Sequence, residues 1–250
     1  VKSVLEERAV EVSASMRAWI DDIRVASMTG EQMVLDEPDA ATTLVLRKVP
    51  GAEPELVVMG PRTRALYYLG RSGPECVKVR LQPGRARLLL GRSVRDLVDQ
   101  VVPLSAIWGA IGEQLTRHWA DPTQFAEALV AGISSRPADV EHSELVRDAA
   151  TLLSTSDIQD SAKRLHVSER HLRNLFTEGV GVPPKRFARI NRVRKVLAHA
   201  ETRPWSELAI EAGYYDHSHM TAEFRSIMGV PPSAFLRGEL PPTTQCGPPK

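Results

Sequence analysis

The sequence predicts an α+β protein of two domains, with a mixed β-rich N-terminal part and an all-helical C-terminal part. Three observations predict it. Residues 41–90 break into short apolar or alternating runs punctuated by Gly and Pro. From about residue 143 the apolar residues recur at spacings of three and four. Within that helical stretch one corner occurs twice, as GVPPKRFAR (181–189) and GVPPSAFLR (229–237).

The first 30 residues fit two readings. Leu5, Ala9, Val12, Met16, Trp19 and Ile23 have helical spacing, while VEVSAS and IRVASM also suit strands. TTLVLRKV, ELVVMG, ALYYLG and CVKVRL then read as strands of an antiparallel sandwich or partial barrel. QPGRARLLLGRSVRDLVDQVVPL shifts towards helix. SAIWGAIGEQLTRHW and DPTQFAEALVAGI read as two amphipathic helices, the second starting at Asp121-Pro122. The polar stretch around 136–142 is expected to be a linker, and the Pro-rich residues 239–250 a disordered tail. The expected domains are therefore 1–135 and 143–238.

Bulk composition narrows the function classes. Hydrophobic residues make up 42% of the 250, enough for a core. No apolar run approaches the ~18 residues of a membrane span, and no basic-then-apolar signal segment opens the chain. Two distant cysteines, Cys76 and Cys246, make no disulfide framework, so a cytoplasmic location is expected. Net charge is +1, but residues 162–195 hold ten Lys/Arg against two Asp/Glu. A local basic stretch in a neutral chain predicts one phosphate-facing surface.

The repeated corner explains itself physically. Phe176–Arg189 and Phe224–Arg237 share seven of fourteen positions. Gly181 and Gly229 can close a helix in the left-handed conformation. Val182 and Val230 fold back as the apolar contact, the prolines suit the first turn of a new helix, and Phe187 and Phe235 face its core. Upstream of the first corner, Ser156 and Gln159 suggest a capping box, and Ser168 caps a second helix carrying Leu172, Leu175 and Phe176 inward. Upstream of the second, Ser206 and Asp216 are the expected caps, with Met220 and Phe224 inward. Each unit is a helix-turn-helix with a small alanine, Ala162 or Ala209, near its turn. PPKRFARINRVRKVLAHA joins the two as a helix of about 25 Å, its apolar stripe being Phe187, Ile190, Val193 and Leu197.

The stretch ELAIEAGYYDHSHMTAEFRSIMGVPPSAF, with the doubled unit, resembles the AraC/XylS family of transcriptional regulators over residues 143–238. The resemblance implies a double helix-turn-helix domain reading adjacent major grooves of promoter DNA, and a sequence-specific regulator, here expected to be an activator. Base contacts are expected from Arg170, Arg173 and Asn174 in the first unit and His217, Ser218 and Thr221 in the second. Ala222 stands where some relatives carry arginine, so the second unit is expected to touch mainly phosphates. Phosphate contacts are expected from Ser168, Arg186, Arg189, Arg192, Lys195 and Arg225. His171 and His219 are expected on the helix surface or in packing rather than as metal ligands, and one of Tyr214 and Tyr215 in the core.

The resemblance also implies an N-terminal domain, cupin-like or a partial barrel, that senses a ligand or makes a dimer. Tyr67, Tyr68 and Leu69 are the candidate pocket wall for a small-molecule effector. RNA polymerase is a further expected partner, the assembly a monomer or homodimer, and the setting a bacterial nucleoid without membrane. A metal-dependent cupin enzyme is disfavoured because no histidine precedes His118; no catalytic residue, metal or cofactor is expected. The alternative is a cysteine-based sensor or methyl acceptor using Cys76, with Lys78 lowering its thiol pKa.

Overall fold

The computed structural model describes residues 6–70, 75–134, 140–200 and 202–243. Eight strands come first: β1 (Glu6–Val10), β2 (Ile20–Ser27), β3 (Gln32–Asp36), β4 (Thr43–Lys48), β5 (Glu55–Met59), β6 (Leu66–Gly70), β7 (Glu75–Leu81) and β8 (Val101–Pro103). Six form one antiparallel sheet in the order β1-β2-β7-β4-β5-β8, and β3 pairs with β6 in a second, two-stranded sheet.

Residues 6–10 and 20–27 resolve the ambiguity of the first 30 in favour of strands. The β2–β7 register shifts between Ile20 and Asp22, leaving Asp21 as an extra residue. That bulge brings Ile20 and Ile23, three apart, to the same buried side. Residues 1–5 lie outside the described part.

Helices cover the large sheet. They are α1 (Arg85–Leu90), α2 (Ser105–Trp108), α3 (Ala110–Gln114) and α4 (Pro122–Ser134), with short 3-10 turns at Val94–Leu97 and Leu115–His118. Leu44, Leu46, Val58, Val77 and Val79 of the sheet share one core with Leu88, Leu89, Phe125, Leu129 and Ile133. The stretch expected as one helix from Ser105 is broken at Gly109 (φ 58, ψ −139), a conformation open essentially to glycine. The second expected helix is continuous, and the Asp121 carboxylate accepts from the Thr123 and Gln124 N–H groups.

Seven helices follow: α5 (Val140–Leu152), α6 (Ile158–Arg164), α7 (Glu169–Val180), α8 (Pro184–His199), α9 (Trp205–Glu211), α10 (His217–Met228) and α11 (Pro232–Leu236). Of the expected linker, residues 140–142 already belong to α5, and 135–139 lie outside the described residues. Of the expected tail, Leu240 packs against the helical core and Glu239 bonds Arg237, whereas 244–250, with Cys246, lie outside.

The helical core also contains Ala40 and Tyr67, so it extends into the N-terminal part. Arg85 crosses between the two parts fully buried. Its Nε donates to the Ala18 carbonyl (2.8 Å) and its Nη1 to Ser143 Oγ (3.0 Å), with the guanidinium over the Trp19 ring.

Candidate nucleic-acid interface

The two C-terminal units repeat the same construction. In the first, Val167 N–H bonds the Ala162 carbonyl (3.1 Å), and Ser168 Oγ accepts from His171 N–H (3.2 Å) to start α7. In the second, Tyr214 N–H bonds the Ala209 carbonyl (2.9 Å), and the Asp216 carboxylate accepts from His219 N–H (2.7 Å) to start α10. The second turn is thus one residue longer, and the extra residue is Tyr215, 95% exposed. Tyr214 is the buried one of the pair. Gly181 (φ 90) and Gly229 (φ 82) end α7 and α10 in the left-handed region. Behind each corner the two phenylalanines meet edge to face, Phe176–Phe187 at 5.1 Å and Phe224–Phe235 at 5.7 Å.

Two expected caps move. Asp157, not Ser156, caps α6, its carboxylate accepting from Asp160 N–H at 2.9 Å. Ser156 is still held by the end of α5, its N–H bonding the Leu152 carbonyl. Pro204 precedes α9, so Ser206 falls inside the helix rather than capping it.

On α7, Leu172, Leu175 and Phe176 are buried, while Arg170, Arg173 and Asn174 are exposed together on the other side. Arg173 pairs with Glu169 one turn earlier. On α10, Met220, Phe224 and Ile227 are buried. His217, Ser218, Thr221, Ala222, Arg225 and Ser226 line an open groove of about 790 Å³ along its outer side. Thr221 Oγ1 lies 3.4 Å from His217 Nδ1. His171 and His219 are exposed on their helix surfaces, in edge contact with His142 and Tyr214 respectively.

The basic helix α8 divides its cations. Arg189 and Arg192, expected to meet phosphate, both bond Glu223, a buried carboxylate on α10. The Arg189 Nε and Arg192 Nη2 distances to Glu223 Oε2 are both 2.9 Å. The Tyr214 hydroxyl donates to the same carboxylate (3.0 Å). Burial works against the Glu223 charge, but Arg192, Tyr214 and Arg189 together hold its pKa below the usual carboxylate value. Arg186 Nη2 donates to the Thr63 carbonyl (2.9 Å), and Arg194 pairs with Asp39. Lys195, Ser168 and Arg225 remain exposed. The sequence carried no signal for these pairings, because Glu223 lies 31 residues from Arg192 and reads as an ordinary helix-surface acid.

The candidate effector wall lies partly against the second unit. Tyr67 is buried, and its hydroxyl donates to the Met228 carbonyl at the end of α10 (2.9 Å). Next to it, Ala65 N–H bonds the Ile227 carbonyl (3.0 Å). Tyr67 therefore joins the β3–β6 sheet to the second unit. Tyr68 is half-buried and Leu69 exposed. Cys76 is half-buried in β7 beside a cleft of about 190 Å³ that Trp119 and Arg47 also line. Lys78, expected to activate its thiol, bonds Glu7 Oε1 (2.7 Å).

Residues 161–238, which hold these paired units, match a family model described as a helix-turn-helix domain. Among solved structures the chain is similar to ToxT from Vibrio cholerae, at 12% identity over 86% of this chain and 97% of that one, with a TM-score of 0.43. ToxT from Vibrio cholerae O395 gives 11% identity over 88% and 98%, with a TM-score of 0.45. A form of wild-type ToxT bound to unsaturated fatty acid gives 13% over 86% and 94%, with a TM-score of 0.41. No curated protein matches the chain. No helix among the described residues is long and apolar enough to cross a membrane.

Proposed function

We propose that this chain is a sequence-specific transcriptional regulator of AraC/XylS type that reads promoter DNA with α7 and α10 and acts as an activator through RNA polymerase. The division of labour is residues 1–135 for sensing or dimerisation and 143–238 for DNA. The observation that carries the reading is the outward placement of Arg170, Arg173 and Asn174 on one capped helix and His217, Ser218 and Thr221 on its counterpart. One continuous helix of about 24 Å joins the two units, which suits adjacent major grooves on one face of B-DNA. Arginine matches guanine and asparagine matches adenine in that groove.

Modulation through the N-terminal domain is supported by its grip on both units. Arg87 lies 3.5 Å from Glu178 on α7, Asp39 holds α8, and Tyr67 holds α10. A small-molecule effector that alters this grip alters the relative placement of α7 and α10. The test is titration of the full chain with duplex fragments of its source genome at increasing salt, followed by transcription from a bound promoter. Nanomolar-range binding to a few fragments, falling steeply with salt, and raised transcription are the expected results. Equal, weak binding to every fragment would reject sequence-specific reading.

A further inference from the structure

We infer that the cleft between the two helix-turn-helix units is a track for the DNA strand running from one groove to the next, with Lys185 and Lys195 as its phosphate contacts. This rests on the DNA-binding reading above, in which Lys195 is already an expected phosphate contact, and adds Lys185 and the cleft that joins the two. The cleft, about 750 Å³, is bounded by Arg173 of the first unit, by the Glu211–Gly213 turn of the second, and by α8 between them. Lys185, Ala188, Asn191 and Lys195 face it at intervals of three and four, one stripe of a helix.

The chemistry of α8 separates that stripe from the rest of the helix. Ile190, Val193 and Val196 are buried. All four arginines are engaged within the protein: Arg186 with Thr63, Arg189 and Arg192 with Glu223, and Arg194 with Asp39. The two lysines are the cations of α8 that no described residue pairs, and both are exposed. They open into the same cleft. The acids lining it are already answered: Asp157 caps α6, and Glu211 pairs with Arg203. What remains is uncompensated positive charge between the first recognition helix and the turn that leads to the second, complementary to a polyanion. Ten residues of helix set the lysines about 15 Å apart, the axial rise of roughly four nucleotides in one strand. Lysine suits this task, since phosphate contacts position the protein without reading bases.

The experiment measures affinity of the full chain against salt on a duplex enriched from a random pool, and on the same duplex with one recognised base pair changed. For Lys185→Gln with Lys195→Gln, the slope of log affinity on log salt is expected to fall by about 0.9 per lysine. Between 50 and 200 mM salt the double variant then loses ~12-fold less affinity than the parent. Its weakening is expected to be equal on both duplexes, and Lys185→Arg with Lys195→Arg to restore the slope. An unchanged slope in the Gln variant, with Arg173→Ala still impaired, would overturn the track and leave the DNA reading standing. An unmodified chain that enriches no duplex from the pool would remove the DNA reading itself. Protection of both lysines from acetylation by bound duplex, read by mass spectrometry, is the second expected result; equal acetylation with and without DNA contradicts it.

Discussion

The two helix-turn-helix units share caps, corner and core, and differ in what they present and what holds them. The first exposes Arg170, Arg173 and Asn174. The second exposes His217, Ser218 and Ala222, with Thr221 half-buried, and it is tied down by a buried carboxylate and by Tyr67. Charged and amide groups with bidentate geometry discriminate bases strongly, while small hydroxyls discriminate weakly. On the proposed reading, the difference divides the labour between the units: the first does most of the base discrimination, and the second is positioned mainly by contacts within the protein.

Removing the element that places the second unit should have the largest effect. Glu223→Ala leaves Arg189, Arg192 and Tyr214 without their shared acceptor. The expected loss is about 3 kcal/mol of stability, at the low end for a broken buried pair because both arginines keep access to water. Urea unfolding of the full chain measures it; an unchanged midpoint would mean that Glu223 does not fix the second unit.

The reading side of the comparison comes next. Arg173→Ala should cost about 2 kcal/mol of binding and relax preference at one base pair. Ser218→Ala should cost less than about 1 kcal/mol and shift all sites alike. Competition binding on a panel of singly altered duplexes separates the two outcomes. Equal, site-specific losses from both variants would erase the division of labour.

The link from the sheet to α8 has a pH signature. Burial opposes the Asp39 charge, but Arg80 through hydrogen bonds and charge, Arg194 through charge and the Ala41 N–H bring its pKa down from 3.8 to about 2. A depressed carboxylate stabilises the fold above its unfolded pKa, and that stability is lost as pH falls through the folded one. The Asp39 contribution, roughly 2 kcal/mol, is therefore full at neutral pH and disappears as pH falls from about 4 towards 2. Asp36 and Glu37, whose pKa values burial raises, act in the opposite sense. The stability difference between the parent and Asp39→Asn isolates the aspartate: large at pH 7 and shrinking in acid. A difference that is constant with pH would contradict it.

The smallest effect on stability is expected at Tyr67. Tyr67→Phe removes one buried hydrogen bond to the Met228 carbonyl, about 1 kcal/mol. Faster amide exchange at the α10 C-terminus than at the α7 C-terminus should accompany it.

The helical architecture was largely legible in the sequence because its signals are local. Gly181, Pro184 and Phe187 each determine a conformation or a burial within a few residues, and their copies at Gly229, Pro232 and Phe235 do the same. The outward residues of α7 and α10 followed from the inward ones by periodicity. What the sequence hid depends on partners far along the chain. The fates of Arg189, Arg192 and Arg194 are set by Glu223 and Asp39, and Tyr67 by a carbonyl 161 residues away. Lys185 looked like one more basic residue until the arginines around it were found engaged. At β2, the bulge at Asp21 puts Ile20 and Ile23, three apart, on one buried side, a placement that strand alternation alone does not give.

The most direct test of the central claim is selection of binding sites by the full chain from a random duplex pool. The account predicts an asymmetric site: one strongly specified segment and a second, weakly specified segment about 10 base pairs away, with Arg173→Ala degrading only the first. A pool with no enriched motif, or a motif specified equally in both segments, would contradict it.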